Sequence, residues 1–64
     1  MDTAKQWYAA VKDWQRARDE LTAAIAAIKW PNPTQDCLDN YDRAYANETG
    51  ARDRMNQAYE RVRR

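Results

Sequence analysis

The chain has 64 residues, a formal net charge of +1 at pH 7, one cysteine and no histidine. A domain of this length buries only about 60% of its unfolded surface and usually needs a disulfide, a metal or a partner to become stable. One cysteine excludes an internal disulfide, and without histidine a zinc or iron–sulfur site lacks its usual ligands. We therefore expect no metal or cofactor, and association with a macromolecule.

The same composition predicts a cytoplasmic protein. A solitary thiol is typical of a reducing compartment. No apolar stretch approaches the roughly 20 residues that span a bilayer, and no signal-peptide core follows Met1. We expect no contact with a membrane.

The first predicted helix covers residues 3–30. Asp2 or Thr3 can cap its start, and Thr3 has capping-box spacing with Gln6. Its end is predicted at Trp30, because a residue that precedes proline disfavours helical geometry.

Both prolines of the chain lie in residues 31–33, which we predict to be a turn. Asn32 is a suitable N-cap for the next helix, and Pro33 then takes the favoured first helical position. The second helix is expected over residues 33–63. It should continue through Gly50, because the apolar pattern runs past this residue without a skip.

Apolar residues recur in alternating steps of three and four in both halves, which is typical of helices packed as a coiled coil. We call this line of recurring positions along each helix the seam. The residue that comes directly before every second seam position is small: Ala10, Ala17, Ala24, Cys37, Ala44, Ala51 and Ala58. Small residues at this spacing let two helix backbones approach closely. The pattern therefore predicts an all-α fold, a single antiparallel two-helix hairpin over residues 1–64.

Three charged residues interrupt the seam: Arg18, Glu48 and Arg52. Charges at such positions are costly unless they are paired. We expect a structural network in which Glu48 bonds to Arg52 and Arg18, with Trp14 as a stacking face. Alternatively, the seam opens here to meet a partner.

Residues 21–28 contain one polar side chain, Thr22, across two helical turns. A helix that is apolar all round is expected to be buried all round, and one neighbouring helix cannot cover it. Tryptophan and tyrosine are also enriched at interfaces. We therefore predict a protein-binding surface that comprises Tyr8, Leu21, Ile25, Ile28 and Trp30. The alternative is that the small alanines of this stretch simply lie exposed and form no interface.

The end of the second helix is rich in arginine: Arg52, Arg54, Arg61, Arg63 and Arg64. These residues either complement the negative end of the helix dipole or form a basic tip that binds nucleic acid. Nucleic-acid binding is the less favoured of the two interpretations.

In length and plan the predicted hairpin resembles the plasmid RNA-binding Rop hairpins, which dimerise into a four-helix bundle. The resemblance is one of architecture and carries over no functional residue. We predict a non-catalytic protein-binding module, an accessory protein of a phage or mobile element, that forms a homodimer or docks on a larger protein to regulate or inhibit it. The alternative is a Rop-like RNA-binding regulator that uses the basic tip.

Overall fold

The computed structural model describes residues 2–64, which form two helices, α1 (Thr3–Ala26) and α2 (Gln35–Arg63). The two helices pack against each other along a hairpin whose Cα atoms extend over 48 × 14 × 13 Å. This architecture confirms the predicted all-helical hairpin.

The start of α1 is held by Asp2. Its carboxylate accepts hydrogen bonds from the backbone N–H groups of Ala4 at 3.0 Å and Lys5 at 3.2 Å. These two donors are among those that the first turn of a helix leaves unsatisfied. Of the two predicted caps, Asp2 is therefore the one used, and Thr3 is the first residue of the helix.

The predicted end of α1 at Trp30 is wrong, because the helix ends at Ala26. The backbone N–H of Ile28 donates to the carbonyl of Ile25 at 3.2 Å, which tightens the last turn, and the chain then leaves the helix. Pro31 sets only the latest point at which α1 can end. The actual end depends on where the chain must turn to reach the axis of α2.

The predicted N-cap of α2, Asn32, is also wrong. Thr34 caps the helix, and its hydroxyl oxygen accepts from the backbone N–H of Cys37 at 3.3 Å. The thiol of Cys37 in turn donates to the carbonyl of Ala27 at 3.4 Å, across the connection between the helices. From Gln35 the helix runs unbroken through Gly50, as predicted.

The core of the hairpin consists of alanine. The buried apolar residues are Ala17, Ala24, Ala44, Ala51 and Ala58, and all five belong to the predicted repeat of small residues. The other two members, Ala10 and Cys37, are half-buried. Within residues 2–64 no large side chain is completely buried. The helices therefore pack through their smallest residues and leave the large ones beside the contact.

Candidate protein-binding face

The large seam residues lie along one side of the alanine core. Apart from Trp7, each follows a member of the small-residue repeat by one or four positions, and Trp7 precedes Val11 by four, so that all lie on the same flank of their helices. We call this surface the apolar face. It comprises Trp7, Val11, Trp14, Leu21, Ile25 and Ile28 of α1 and Leu38, Tyr41, Tyr45, Met55, Tyr59 and Val62 of α2.

None of the residues of the apolar face is buried. Leu38 is 36% exposed, Tyr59 43%, Ile25 47% and Tyr45 51%, and the other eight are half-buried. A large apolar side chain gains about 1.5–3 kcal/mol when it moves from full exposure to full burial. Much of this gain is not realised within a single hairpin.

Two pairs of aromatic rings contact each other on this face, and one of them joins the two helices. The ring centroids of Trp7 and Tyr59 are 5.3 Å apart, with an interplanar angle of 52°. Tyr41 and Tyr45 form a second pair at 6.1 Å along α2. Both distances lie in the range of favourable aromatic contacts, so the rings hold a defined arrangement on the surface.

The other side of the hairpin is polar. A shallow groove between the helices is lined there by charged, amide and small side chains, which include Asp13, Arg16, Glu20, Asn47, Gly50 and Arg54. The two sides therefore differ in chemistry as well as in the size of their side chains. The protein has one face suited to an apolar partner and one suited to water.

A single carboxylate is buried near the middle of the apolar face. Glu48 is 8% exposed, and its Oε1 atom accepts a hydrogen bond from Nε1 of Trp14 at 3.0 Å. The same oxygen lies 3.9 Å from Nη1 of Arg52, one helical turn further along. Trp14 was predicted only as a stacking surface, and its role as a hydrogen-bond donor was not predicted.

The predicted bond between Arg18 and Glu48 is not formed in the part of the chain that the structure describes. The guanidinium of Arg18 instead lies over the ring of Trp14, 4.9 Å from the ring centroid. Stacking on an indole leaves the planar donor groups of an arginine in contact with solvent. Glu48 is thus engaged by Trp14 and Arg52, and Arg18 joins the cluster through the tryptophan.

The residues predicted to bind a partner do not form one continuous surface. Ile25 belongs to the apolar face with Leu21 and Ile28, which are half-buried. Tyr8 is 62% exposed, and the ammonium group of Lys12 lies over its ring, 5.3 Å from the ring centroid. Trp30 is 71% exposed and lies in the connection, beyond the end of α1. Tyr41, Tyr45 and Tyr59 of α2 were not among the predicted residues, although they share the seam period.

The arginines of the predicted basic tip point in different directions. Arg52 contacts Glu48, and Nη1 of Arg63 lies 3.7 Å from Oε1 of Glu60. Arg54 and Arg61 line a common groove on the polar side, together with Gln57. Arg54 and Arg61 therefore lie on the same surface of the hairpin.

The chain matches no protein-family model, and no curated protein or solved structure is significantly similar to it. Neither α1 nor α2 contains a stretch long and apolar enough to cross a membrane.

Proposed function

We propose that this chain is a non-catalytic protein-binding module that acts through its apolar face. The face docks against a helical surface, which is either a second copy, completing a four-helix bundle, or a larger protein that the module regulates or inhibits. An accessory role in a phage or mobile element suits a module of this size. The observation that supports this proposal most directly is that alanine forms the core, whereas twelve large side chains lie on one flank of the hairpin.

The physical reason is the distribution of apolar area. In a self-sufficient domain the largest apolar side chains fill the core, whereas here alanine fills it. Contiguous apolar patches on a protein surface mark interaction sites. Aromatic residues contribute to this face from both helices, and aromatic side chains dominate the binding energy of many interfaces.

A catalytic role has less support, because the buried carboxylate of Glu48 is already engaged by Trp14 and Arg52. Its charged neighbours are arginines, which act neither as nucleophile nor as base near neutral pH. The cluster is better suited to hold the geometry of an interface than to move a proton.

The proposal is tested by the mass of the protein in solution and by a charge placed on the apolar face. The chain weighs 7.6 kDa, and light scattering after size exclusion should report about twice this mass at micromolar concentration. Ile25→Glu should return the protein to monomers, since it introduces an unpaired charge into the interface. Ala23→Glu is the matched control, because Ala23 is exposed on the polar side of the same helix.

Two results would contradict the proposed self-association. One is a folded monomer at high micromolar concentration, and the other is a dimer that Ile25→Glu and Ala23→Glu weaken equally. Because Ile25 is already 47% exposed in the hairpin, its replacement should leave the helical content of each chain intact, which circular dichroism would verify.

Nucleic-acid binding is the second candidate. Arg54 and Arg61 favour it, because they share one groove on the polar side and neither forms an ion pair within residues 2–64. Arginine pairs of this kind suit phosphate groups. This function would use the opposite side of the hairpin from the apolar face.

A further inference from the structure

We infer that the occupant of the apolar face is a second copy of this chain, packed antiparallel so that the two hairpin turns lie at opposite ends. The inference rests on the proposed function and specifies both the partner and its orientation. In this arrangement a two-fold axis lies between the two faces, perpendicular to the helices and level with Gly50 of α2. Each α1 then lies over the other α1, and each α2 lies over the other α2.

The surface area of the hairpin suits a partner of its own size. Its accessible surface is 5031 Å², whereas a compact monomer of 7.6 kDa is expected to expose about 4,300 Å². The excess is about 700 Å², close to the roughly 800 Å² that each partner buries in a stable interface of standard size. A second hairpin of equal length would cover the face from end to end.

The charges of the folded hairpin are separated along its length. The half nearer the turn, residues 17–48, has three basic and six acidic side chains, a net charge of −3. The half nearer the chain ends, residues 2–16 and 49–64, has eight basic and four acidic side chains, a net charge of +4. The separation exists only in the folded hairpin, because folding brings the two basic segments to the same end.

This separation distinguishes the two symmetric ways of stacking two hairpins. In the antiparallel dimer the acidic turn end of each copy lies beside the basic end of the other, so that opposite charges meet. With both turns at the same end, acidic meets acidic and basic meets basic. Complementary charge steers association and penalises the wrong orientation. The hairpin is thus electrostatically complementary to its own inverted copy.

The spacing of the seam residues also matches the antiparallel arrangement. Along α2, Leu38 falls opposite Val62 of the second copy, Tyr41 opposite Tyr59, and Tyr45 opposite Met55. Each residue at the first position of the seam repeat meets one at the fourth, as in an antiparallel coiled coil. No seam residue of the helix is left without a counterpart.

The matching along α1 spreads the bulky side chains evenly. Trp7 falls opposite Ile25 of the second copy, at the level where its own hairpin contributes Tyr59. With both turns at the same end, two copies of Trp7 and two of Tyr59 would share one layer. Alternation of large and smaller side chains across an interface allows them to interdigitate without voids.

The charged cluster fixes the register of the two copies. In the antiparallel dimer the buried carboxylate of Glu48 falls opposite Arg52 of the second copy, and Arg18 falls opposite the other Trp14. A shift by one heptad would instead place Glu48 opposite Tyr45 or Tyr59, with its charge less well compensated. Buried polar groups at seam positions specify register in this way.

A spin label on an exposed residue beside the turn provides a direct measurement of orientation. In a Cys37→Ser background with Asp36→Cys, the two labelled sites of the antiparallel dimer lie about 28 residues apart along the axis, or about 42 Å. We expect a dipolar spectroscopy distance near that value. A dimer with both turns at the same end would bring the labels within about 20 Å of each other, because packed helix axes are about 8–10 Å apart.

Cross-linking of other engineered cysteines is an independent test of the orientation. In a Cys37→Ser background, Gln15→Cys places a thiol beside the two-fold axis, and a short bis-maleimide should join the two copies. Thr22→Cys is the matched control, since it is also exposed on the same flank of α1 but would lie about 18 Å from its copy along the axis.

The outcomes separate this inference from the proposed function. Efficient cross-linking at Gln15→Cys and not at Thr22→Cys, with the long label distance, supports the antiparallel dimer. A dimer with the short distance, or with no preference between the two cysteines, overturns the inference and leaves protein binding intact. A monomeric mass overturns the inference, and the apolar face would then have to bind a different protein.

Discussion

Replacement of the buried carboxylate, Glu48→Gln, tests whether the central cluster stabilises the protein. The substitution preserves shape and keeps an oxygen for the Nε1–H of Trp14, which donates to Glu48 at 3.0 Å. It removes the charge that faces Arg52 at 3.9 Å. The variant therefore isolates the electrostatic part of the cluster from its packing.

The expected loss of stability is about 1–1.5 kcal/mol. A hydrogen bond to a charged group contributes about 1.5–3 kcal/mol and a neutral one about 0.5–1.5, so about 1 kcal/mol is lost from the bond with Trp14. The ion pair adds only about 0.3–0.5 kcal/mol, because the Arg52 side chain is 48% exposed and solvent screens it. For a domain of this size the loss corresponds to a fall in Tm of about 4–12 °C.

Urea and thermal unfolding followed by circular dichroism would measure this loss, with every variant at the same chain concentration. Glu60→Gln is the matched control, because Glu60 also faces an arginine at 3.7 Å but its side chain is 54% exposed. The control should change stability by less than about 0.5 kcal/mol. If Glu48→Gln proves no more destabilising than Glu60→Gln, the cluster does not contribute as reasoned.

Further predictions concern the core, the charge separation and the polar side. Ala51→Leu should destabilise the hairpin by about 1–3 kcal/mol in urea unfolding, because Ala51 is 3% exposed and the helices cannot admit a larger side chain there. The control Ala46→Leu changes an exposed position and should not destabilise the hairpin. Equal effects of the two substitutions would argue against the alanine core. Asp39→Lys with Asp42→Lys should raise the Kd of the dimer about tenfold at low salt. Added salt should shrink that difference, and sedimentation equilibrium that shows no change at either salt concentration would refute the charge argument. Arg54→Ala with Arg61→Ala should abolish any RNA binding that a salt titration detects, whereas binding that survives would locate the RNA site elsewhere.

The helical period and the repeat of small residues were readable from the sequence because both depend on local spacing. Side chains seven residues apart return to the same flank of a helix, so alanine at that interval defines a contact surface before the partner helix is known. The structure buries five of these residues, from Ala17 to Ala58. Asp2 as a cap was predictable for the same reason, since capping involves only neighbouring backbone groups.

The connection between the helices could not be read in this way. Asn32 and Pro33 satisfy every local rule for starting a helix, yet Thr34 caps α2 and residues 27–34 form the connection. The position of Arg18 was equally beyond a local argument. Its guanidinium can approach either a carboxylate or an indole ring, and the structure places it on Trp14.

The sequence by itself determined two helices, their small-residue contact surface and a charged interruption of the seam. Only the tertiary structure decided where the chain turns, which groups engage Glu48, and that the large seam residues lie only partly covered on one flank. The antiparallel hairpin, which the sequence did predict, brings the basic segments at the two ends of the chain to one end of the molecule. The physical reason is that periodicity and capping act over one or two helical turns, whereas burial and net charge depend on which segments the fold brings together.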